Sequence, residues 1–573
     1  MIIERIELLR SLMTELGFDG YIVPTNDEYL SEYTPAYAKR IEYITGFSGS
    51  YCIAIILEKT VLFFTDGRYL TQCLSELDGN LFEIFDHKLI PNFDLSNYLT
   101  RNTVIAYDPK LFTNNSLKKF AGFNLISYPD NLIDKIWTDR PAKPNSLIYD
   151  YPLEYAGRSR EEKINSCREF IRNNKAESLL ITDSASVCWL LNIRASDVEF
   201  APLLLANIIV TLDKIYLFTD PARFEQNLII DEVTILPPSE LEKILSLCKE
   251  TILYDDNQCT QYISALLKDR SHKNIKNPCM LLKACKNDIE IKHMKSGHIQ
   301  DAVAMCEFLS FLAGNDLSEL TEYDLGERLR ALRQKGLNYI YDSFPTIIGF
   351  QENGAIIHYR ADNENAKKIK GDGLLLIDSG GQYLGATTDV TRTISIGNFD
   401  WEHKEIYTTV LKGHINLAAI RFPKERTTGA NLDILARQFL WQKGLDYAHG
   451  TGHGVGSFSS VHEGPQNISP SGHGEFIQAG TVLSDEPGFY RPGKFGIRIE
   501  NMIYAKDSTY PGFLEFEMLT LVPYERKLID LSLLTDSEKS YLSSYYLQIK
   551  ENIRALLSKP ATKWLDYQLE EFI

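Results

Sequence analysis

Cysteine is scarce, and none of it is arranged for bonding. The nine residues (Cys52, Cys73, Cys167, Cys188, Cys248, Cys259, Cys279, Cys285 and Cys306) are odd in number and include no C-x-x-C pair. A disulfide framework and a thiolate metal site are therefore excluded, and reduced thiols in buried or neutral places are expected. No cysteine follows Cys306, so metal chemistry beyond it must use oxygen and nitrogen ligands. Positive charge is also short: 60 Lys+Arg against 77 Asp+Glu leave a net charge of −17. A nucleic-acid binder or a basic membrane-surface protein would need a Lys/Arg-rich face to meet phosphates, and this chain has no excess to build one. The most apolar run, residues 200–212, is interrupted by Pro202 and Asn207. It falls well short of the roughly 20 residues that span a bilayer. At the start, Glu4, Arg5 and Glu7 sit inside an amphipathic pattern of Ile6, Leu9, Met13 and Leu16. That pattern is a helix and not the apolar core of a signal peptide. The expectation is a cytoplasmic protein with no nucleic-acid and no membrane partner.

What is present is ordinary globular material in quantity. With 573 residues and 44% apolar side chains the chain exceeds one hydrophobic core, and three domains are expected. A proline- and charge-rich linker at residues 139–146 and a weaker boundary near 271–278 divide it into residues 1–140, 141–278 and 279–573. The first two segments share one α/β grammar. Tyr43-Ile44-Thr45-Gly46 aligns with Trp189-Leu190-Leu191-Asn192, and residues 62–68 align with residues 215–223. The ordered series favours a tandem duplication over chance matching of strand patterns. The third segment opens on a long helical pattern from Asp288 with a second helix from Thr321. It carries a strand at residues 519–523, and a capping box at Thr535 and Glu538 starts a closing helix.

Ligand-type residues concentrate between Gly371 and Glu500. Asp378 ends an apolar strand, and Asp389 follows eleven positions later inside a β-branched one. Then come His449-Gly450-Thr451-Gly452-His453-Gly454, Asp485-Glu486-Pro487-Gly488 and Ile497-Arg498-Ile499-Glu500. Strand alternation puts Asp389, Thr391 and Thr393 on one face, and Arg498 and Glu500 on one face. Four converging carboxylates repel strongly unless cations neutralise them. Two divalent ions balance four negative charges and leave room for one bridging hydroxide. Oxygen-rich ligation with a single imidazole favours Mn, with Co or Zn as substitutes. Glu486, just before a Pro-Gly turn, is the carboxylate placed to shuttle a proton. His358, after a strand at residues 353–357, and His462, in Val461-His462-Glu463-Gly464-Pro465, are each compatible with a structural role. His87, His272, His403, His414 and His473 have no partner motif and are read as surface residues.

Asp378-Ser379-Gly380-Gly381, Thr388-Asp389-Val390-Thr391-Arg392-Thr393, the His449–Gly454 run and Val461-His462-Glu463-Gly464-Pro465 resemble the aminopeptidase P family. The likeness extends to Phe63-Phe64-Thr65-Asp66-Gly67-Arg68-Tyr69 and to Arg194-Ala195-Ser196-Asp197-Val198. It implies an α/β (α+β) chain with two tandem creatinase-N-like domains and a C-terminal pita-bread catalytic domain. It implies that Asp378, Asp389, His453, Glu486 and Glu500 hold two Mn ions, and that His358, His449 and His462 hold substrate and stabilise the tetrahedral intermediate. Arg498 supports the ligand shell, and Arg68 is similar to an arginine that reaches substrate. The implied reaction is removal of the first residue from peptides with proline second, by attack of the bridging hydroxide. A cytoplasmic homodimer is implied with it. Rival readings are a prolidase acting on Xaa-Pro dipeptides and a non-catalytic pita-bread binding module.

Overall fold

The first helix, Ile2–Leu16, buries Ile6, Leu9 and Met13 and stops at Gly17, whose φ of 74° lies in the left-handed region. It opens a chain whose computed structural model describes residues 1–98, 103–225, 230, 232–471 and 474–573. Contacts divide the chain into two units, Met1–Leu153 with Arg158–Cys279, and Glu154–Gly157 with Met280–Ile573. Among the described residues no helix is long and apolar enough to cross a membrane.

The first unit holds two six-stranded sheets. One comprises Gly20–Pro24, Cys52–Leu57, Val61–Thr65, Phe82–Asp86, Ile105–Tyr107 and Leu125–Ser127. The other comprises Ser178–Ile181, Asn207–Thr211, Ile215–Phe218, Val233–Leu236, Ile252–Tyr254 and His272–Asn274. Numbered along the chain within each sheet, both run in the order 4-3-2-1-5-6. In both, pairs 1-2 and 2-3 are antiparallel, whereas 3-4, 1-5 and 5-6 are parallel. The aligned tetrapeptides end helices in equivalent places: Arg40–Thr45 stops at Gly46 with φ 81°, and Ser184–Leu191 at Asn192 with φ 47°. Chance resemblance of strand patterns would not reproduce order, direction and helix termination together, so the duplication extends through the architecture.

In the second unit the 27-residue helix Asp288–Gly314 and the helix Glu322–Arg333 each begin at a capping box, on Asn287 and Thr321. They pack on a three-stranded antiparallel sheet in which Gly373–Ser379 lies between Ile347–Phe350 and Val390–Ile396. A second antiparallel sheet orders Arg421–Pro423, Phe513–Met518, Asn501–Asp507 and Val482–Asp485. The helices Trp401–Ala418 and Gly429–Trp441 pack against each other, burying Val410, Leu411, Leu417, Leu432 and Leu440. The closing helix Asp536–Asn552 starts at the Thr535–Glu538 capping box and buries Tyr545 and Ile549.

Three expected strands differ. Residues 519–523 are irregular, and the strand is Phe513–Met518 before them. Pro523 has no N–H to give a ladder, and the carbonyls of Val522 and Pro523 accept from the Arg392 guanidinium instead. Asp389 lies just ahead of the strand Val390–Ile396 rather than inside it. The segment before His358 is a 3-10 turn, Gln351–Ala355. A Cβ on Gly349 would stand 2.7 Å from the Gly354 nitrogen, so the turn packs where no side chain fits.

Candidate active site

Four carboxylates and one imidazole reach the same place from the ends of three sheets in the second unit. Asp378 and Thr391 are direct partners across the Gly373–Ser379 and Val390–Ile396 pair, which carries Asp389 beside Asp378. Glu486 follows the strand Val482–Asp485, and Glu500 precedes Asn501–Asp507; Asp485 and Asn501 are the terminal pair of that ladder. His453 comes from a two-stranded ribbon, Gly452–His453 with Asn467–Ile468. Its flanking glycines allow the ribbon to lie against neighbouring backbone. A Cβ on Gly452 would meet the Ser484 carbonyl at 2.0 Å, and one on Gly454 the Glu463 carbonyl at 1.9 Å.

Ligand atoms of Asp389, His453 and Glu500 lie within 4.8 Å of one another. His453 Nε2 is 3.6 Å from Asp389 Oδ2 and 3.5 Å from Glu486 Oε1. Asp378 Oδ2 accepts from Arg498 Nη2 at 2.6 Å. One oxygen on each of Asp378, Asp389 and Glu500 is buried without a hydrogen-bond partner. Burial, followed by the charges of Asp378 and Glu486, pushes the Asp389 carboxyl well above its ordinary range. Burial, followed by Asp389, Glu486 and Asp378, does the same to Glu500. Unpartnered carboxylate oxygens converging in a buried site with one imidazole are the donor set of hard divalent cations, and these residues fit such ions.

Around this cluster, Thr391 Oγ1 donates to Glu500 Oε2 at 2.7 Å, and Thr393 Oγ1 donates to the Arg498 carbonyl at 3.0 Å. The alternation expected from sequence therefore holds for both threonines. Arg498 and Glu500 turn toward the site while Ile497 and Ile499 are fully buried in the core, even though the strand stops at Arg498. His449 Nε2 is 2.8 Å from Tyr490 Oη, and that hydroxyl accepts from Arg498 Nη1 at 2.6 Å. The His462 ring stands edge-on to His453, with centroids 4.2 Å apart. His358 lies next to Ile357, whose carbonyl accepts from Arg498 Nη2 at 3.4 Å. Arg68 belongs to the first unit, where its guanidinium is paired with Asp66 at 2.7 Å.

Sequence reasoning passed over two side chains. Tyr490 joins His449 to Arg498, and its only signal was a polar position in a short strand facing the one that ends in Arg498. His414, read as a surface residue, is fully buried. Its helix pattern is apolar on most sides, which was the available warning. Of the other three that are described, His272 is exposed, His87 is partly covered beside Tyr51, and His403 stands edge-on to Phe495 at 4.5 Å. His473 lies outside the described residues.

The family model of metallopeptidase family M24 matches residues 292–507, and the C-terminal region of that peptidase matches residues 512–572. Creatinase/prolidase N-terminal domain models match residues 5–127 and 139–290. Xaa-Pro aminopeptidase 1 of Dictyostelium discoideum is 36% identical over 607 residues, covering 99% of this chain and 96% of that one. The chain belongs to metallopeptidase family M24. This M24 chain also superposes on the crystal structure of an X-prolyl aminopeptidase from Caenorhabditis elegans, described as a cytosolic enzyme with a di-nuclear active site. The TM-score is 0.93 at 32% identity, covering 100% of this chain and 99% of that one. Prolidase from Pyrococcus horikoshii OT3 shares the fold over 64% of this chain and 99% of its own, at a TM-score of 0.53 and 24% identity.

Proposed function

We propose that this protein is an Xaa-Pro aminopeptidase, releasing the first residue from peptides whose second residue is proline, with two divalent cations for which Mn is the favoured ion and Co or Zn are substitutes. The observation that carries the reading is the buried cluster of Asp378, Asp389, His453, Glu486 and Glu500 with its unpartnered carboxylate oxygens. The likeness to Xaa-Pro aminopeptidases runs the whole chain, whereas the likeness to the Pyrococcus horikoshii prolidase covers 64% of it. That difference supports an aminopeptidase over a dipeptidase.

Those five residues are assigned as the ligands. Two divalent cations held there would offset the carboxylate charge, acidify a water and polarise the scissile carbonyl. The remaining steps belong to side chains. His358, His449 and His462 are assigned to hold the substrate and the carbonyl oxygen as charge develops on it. Tyr490 keeps the His449 imidazole and the Arg498 guanidinium in fixed relation, and Arg498 anchors Asp378. Glu486, which accepts from Ser484 Oγ at 3.2 Å, takes the proton of the attacking water and delivers it to the departing nitrogen. A proline peptide bond is a tertiary amide without N–H, so enzymes that need that donor handle it poorly. Arg68 is included as a substrate contact on the sequence resemblance alone. Domain limits near residues 140 and 278, a cytosolic setting and a homodimer belong to the same proposal.

Metal analysis of purified protein, together with hydrolysis of Arg-Pro-Pro and Arg-Pro with and without Mn²⁺, tests it. The expected result is two metal equivalents and Mn-dependent release of arginine from the tripeptide, with the dipeptide left largely intact. Cleavage confined to the dipeptide, or activity in fully metal-free protein, would overturn it.

A further inference from the structure

The residues next to Glu486 and Glu500 are joined by a continuous buried hydrogen-bond chain that the proposed reaction does not use. Asp485 and Asn501 face each other as the last pair of their ladder. Arg392, His414, Asp485, Asn501 and Tyr524 are each at most 1% exposed. Arg392 Nη1 donates to the Glu500 carbonyl at 2.7 Å, and Nη2 donates to Asn501 Oδ1 at 2.7 Å. A guanidinium only donates, so the Asn501 oxygen must face it and the amide nitrogen must face Tyr524. Asn501 Nδ2 then donates to Tyr524 Oη at 2.9 Å. The tyrosine hydrogen is left for His414 Nε2, 2.9 Å away. His414 consequently carries its own hydrogen on Nδ1, which lies 3.1 Å from both the main-chain oxygen and Oδ2 of Asp485. The line runs from the carbonyl of Glu500 to that of Asp485, which precedes Glu486.

Resting on the two-cation reading, we infer that His414, with Tyr524 and Asn501, is a positioning device that sets the separation of Glu486 and Glu500. Backbone pairing brackets the two glutamates, with Asp485 opposite Asn501 on one side and Ile499 N donating to the Pro487 carbonyl at 3.2 Å on the other. The side-chain line adds a second hold, tying the residues beside both glutamates to the helix Trp401–Ala418 that carries His414. Outer contacts of this kind orient metal-binding side chains, and their loss typically lowers metal affinity about 10- to 100-fold.

Mn²⁺ titration of metal-free protein by isothermal calorimetry, beside thermal unfolding of the same samples, tests the inference on wild type, Tyr524→Phe, His414→Phe and His414→Asn. Tyr524→Phe keeps the ring packed on Tyr545 and removes only the bridging hydroxyl. The expected result is affinity about 10-fold weaker in Tyr524→Phe and up to about 100-fold weaker in His414→Phe. His414→Asn, which retains a donor toward Asp485, should fall between wild type and His414→Phe. Turnover should recover at saturating Mn²⁺ with KM unchanged. Variants that unfold at lower temperature yet bind Mn²⁺ as wild type does would overturn the positioning role. A wild-type protein that takes up no Mn²⁺ would instead bring down the two-cation reading beneath it.

Discussion

Arg498 is the cation set among four carboxylates, and it shows how the site is balanced without its ions. It is 2% exposed and bonds Asp378, Tyr490 and Thr391. One guanidinium cannot offset four charges, so the balance in metal-free protein is made by protons. Asp389 and Glu500 stand well above their ordinary values of 3.8 and 4.5. For a raised acid the folded state holds more protons than the unfolded one, so stability falls as pH rises. The contribution is intact below the ordinary carboxylate values and is lost as pH climbs from about 4.5 upward. Chemical denaturation of metal-free protein should accordingly show a midpoint that drops from pH 4.5 toward neutrality. Saturating Mn²⁺ should flatten that slope, with protons released on binding. A midpoint of metal-free protein that rose over the same range would contradict this account.

At the scale of elements, the ribbon carrying His453 is placed by what its glycines lack. Gly452 and Gly454 sit against carbonyl oxygens, whereas a Cβ on Gly450 would find its nearest neighbour at 3.4 Å, an ordinary contact. Gly452→Ala should push the ribbon off the Val482–Asp485 strand, costing about 1–3 kcal/mol and most of the Mn²⁺ uptake. Gly450→Ala should leave both near wild type. Calorimetric melting and metal analysis of the two variants check the contrast, and equal behaviour would show that close approach is not what positions His453. Elements also separate what was legible from what was not. The helices at Asp288, Thr321 and Thr535 were readable because a cap and an apolar stripe are local signals. Residues 519–523 were misread because an apolar run resembles a strand until Arg392, more than a hundred residues earlier, claims its carbonyls.

On the scale of the whole molecule, the chain divides into two units. The first repeats one six-stranded topology twice, and the second carries every residue assigned to the cations. Ligand binding stabilises what it touches, by about 2.7 kcal/mol when its concentration is 100 times Kd. Hydrogen exchange with and without Mn²⁺ should therefore show added protection in the strands around Asp378, Asp389, His453 and Glu500. The two sheets of the first unit should be unchanged, and protection spread evenly over both units would argue against a metal site confined to the second.

The amino-acid sequence by itself determined the duplication, the helix starts, and the types and order of the candidate ligand residues. Each is a local matter of periodicity, capping or residue chemistry. Tertiary structure decided which face of a strand end meets which other strand end. Thus Tyr490 was invisible until the strands Gly488–Arg491 and Phe495–Arg498 paired, with Tyr490 opposite Gly496 and Arg498 opposite Gly488. The apolar helix pattern around His414 marks burial, but nothing local names its partners, Asp485 and Tyr524, which lie 71 and 110 residues away. Long-range pairing of buried polar groups is set by satisfying every donor and acceptor at once, and that condition exists only in the folded chain.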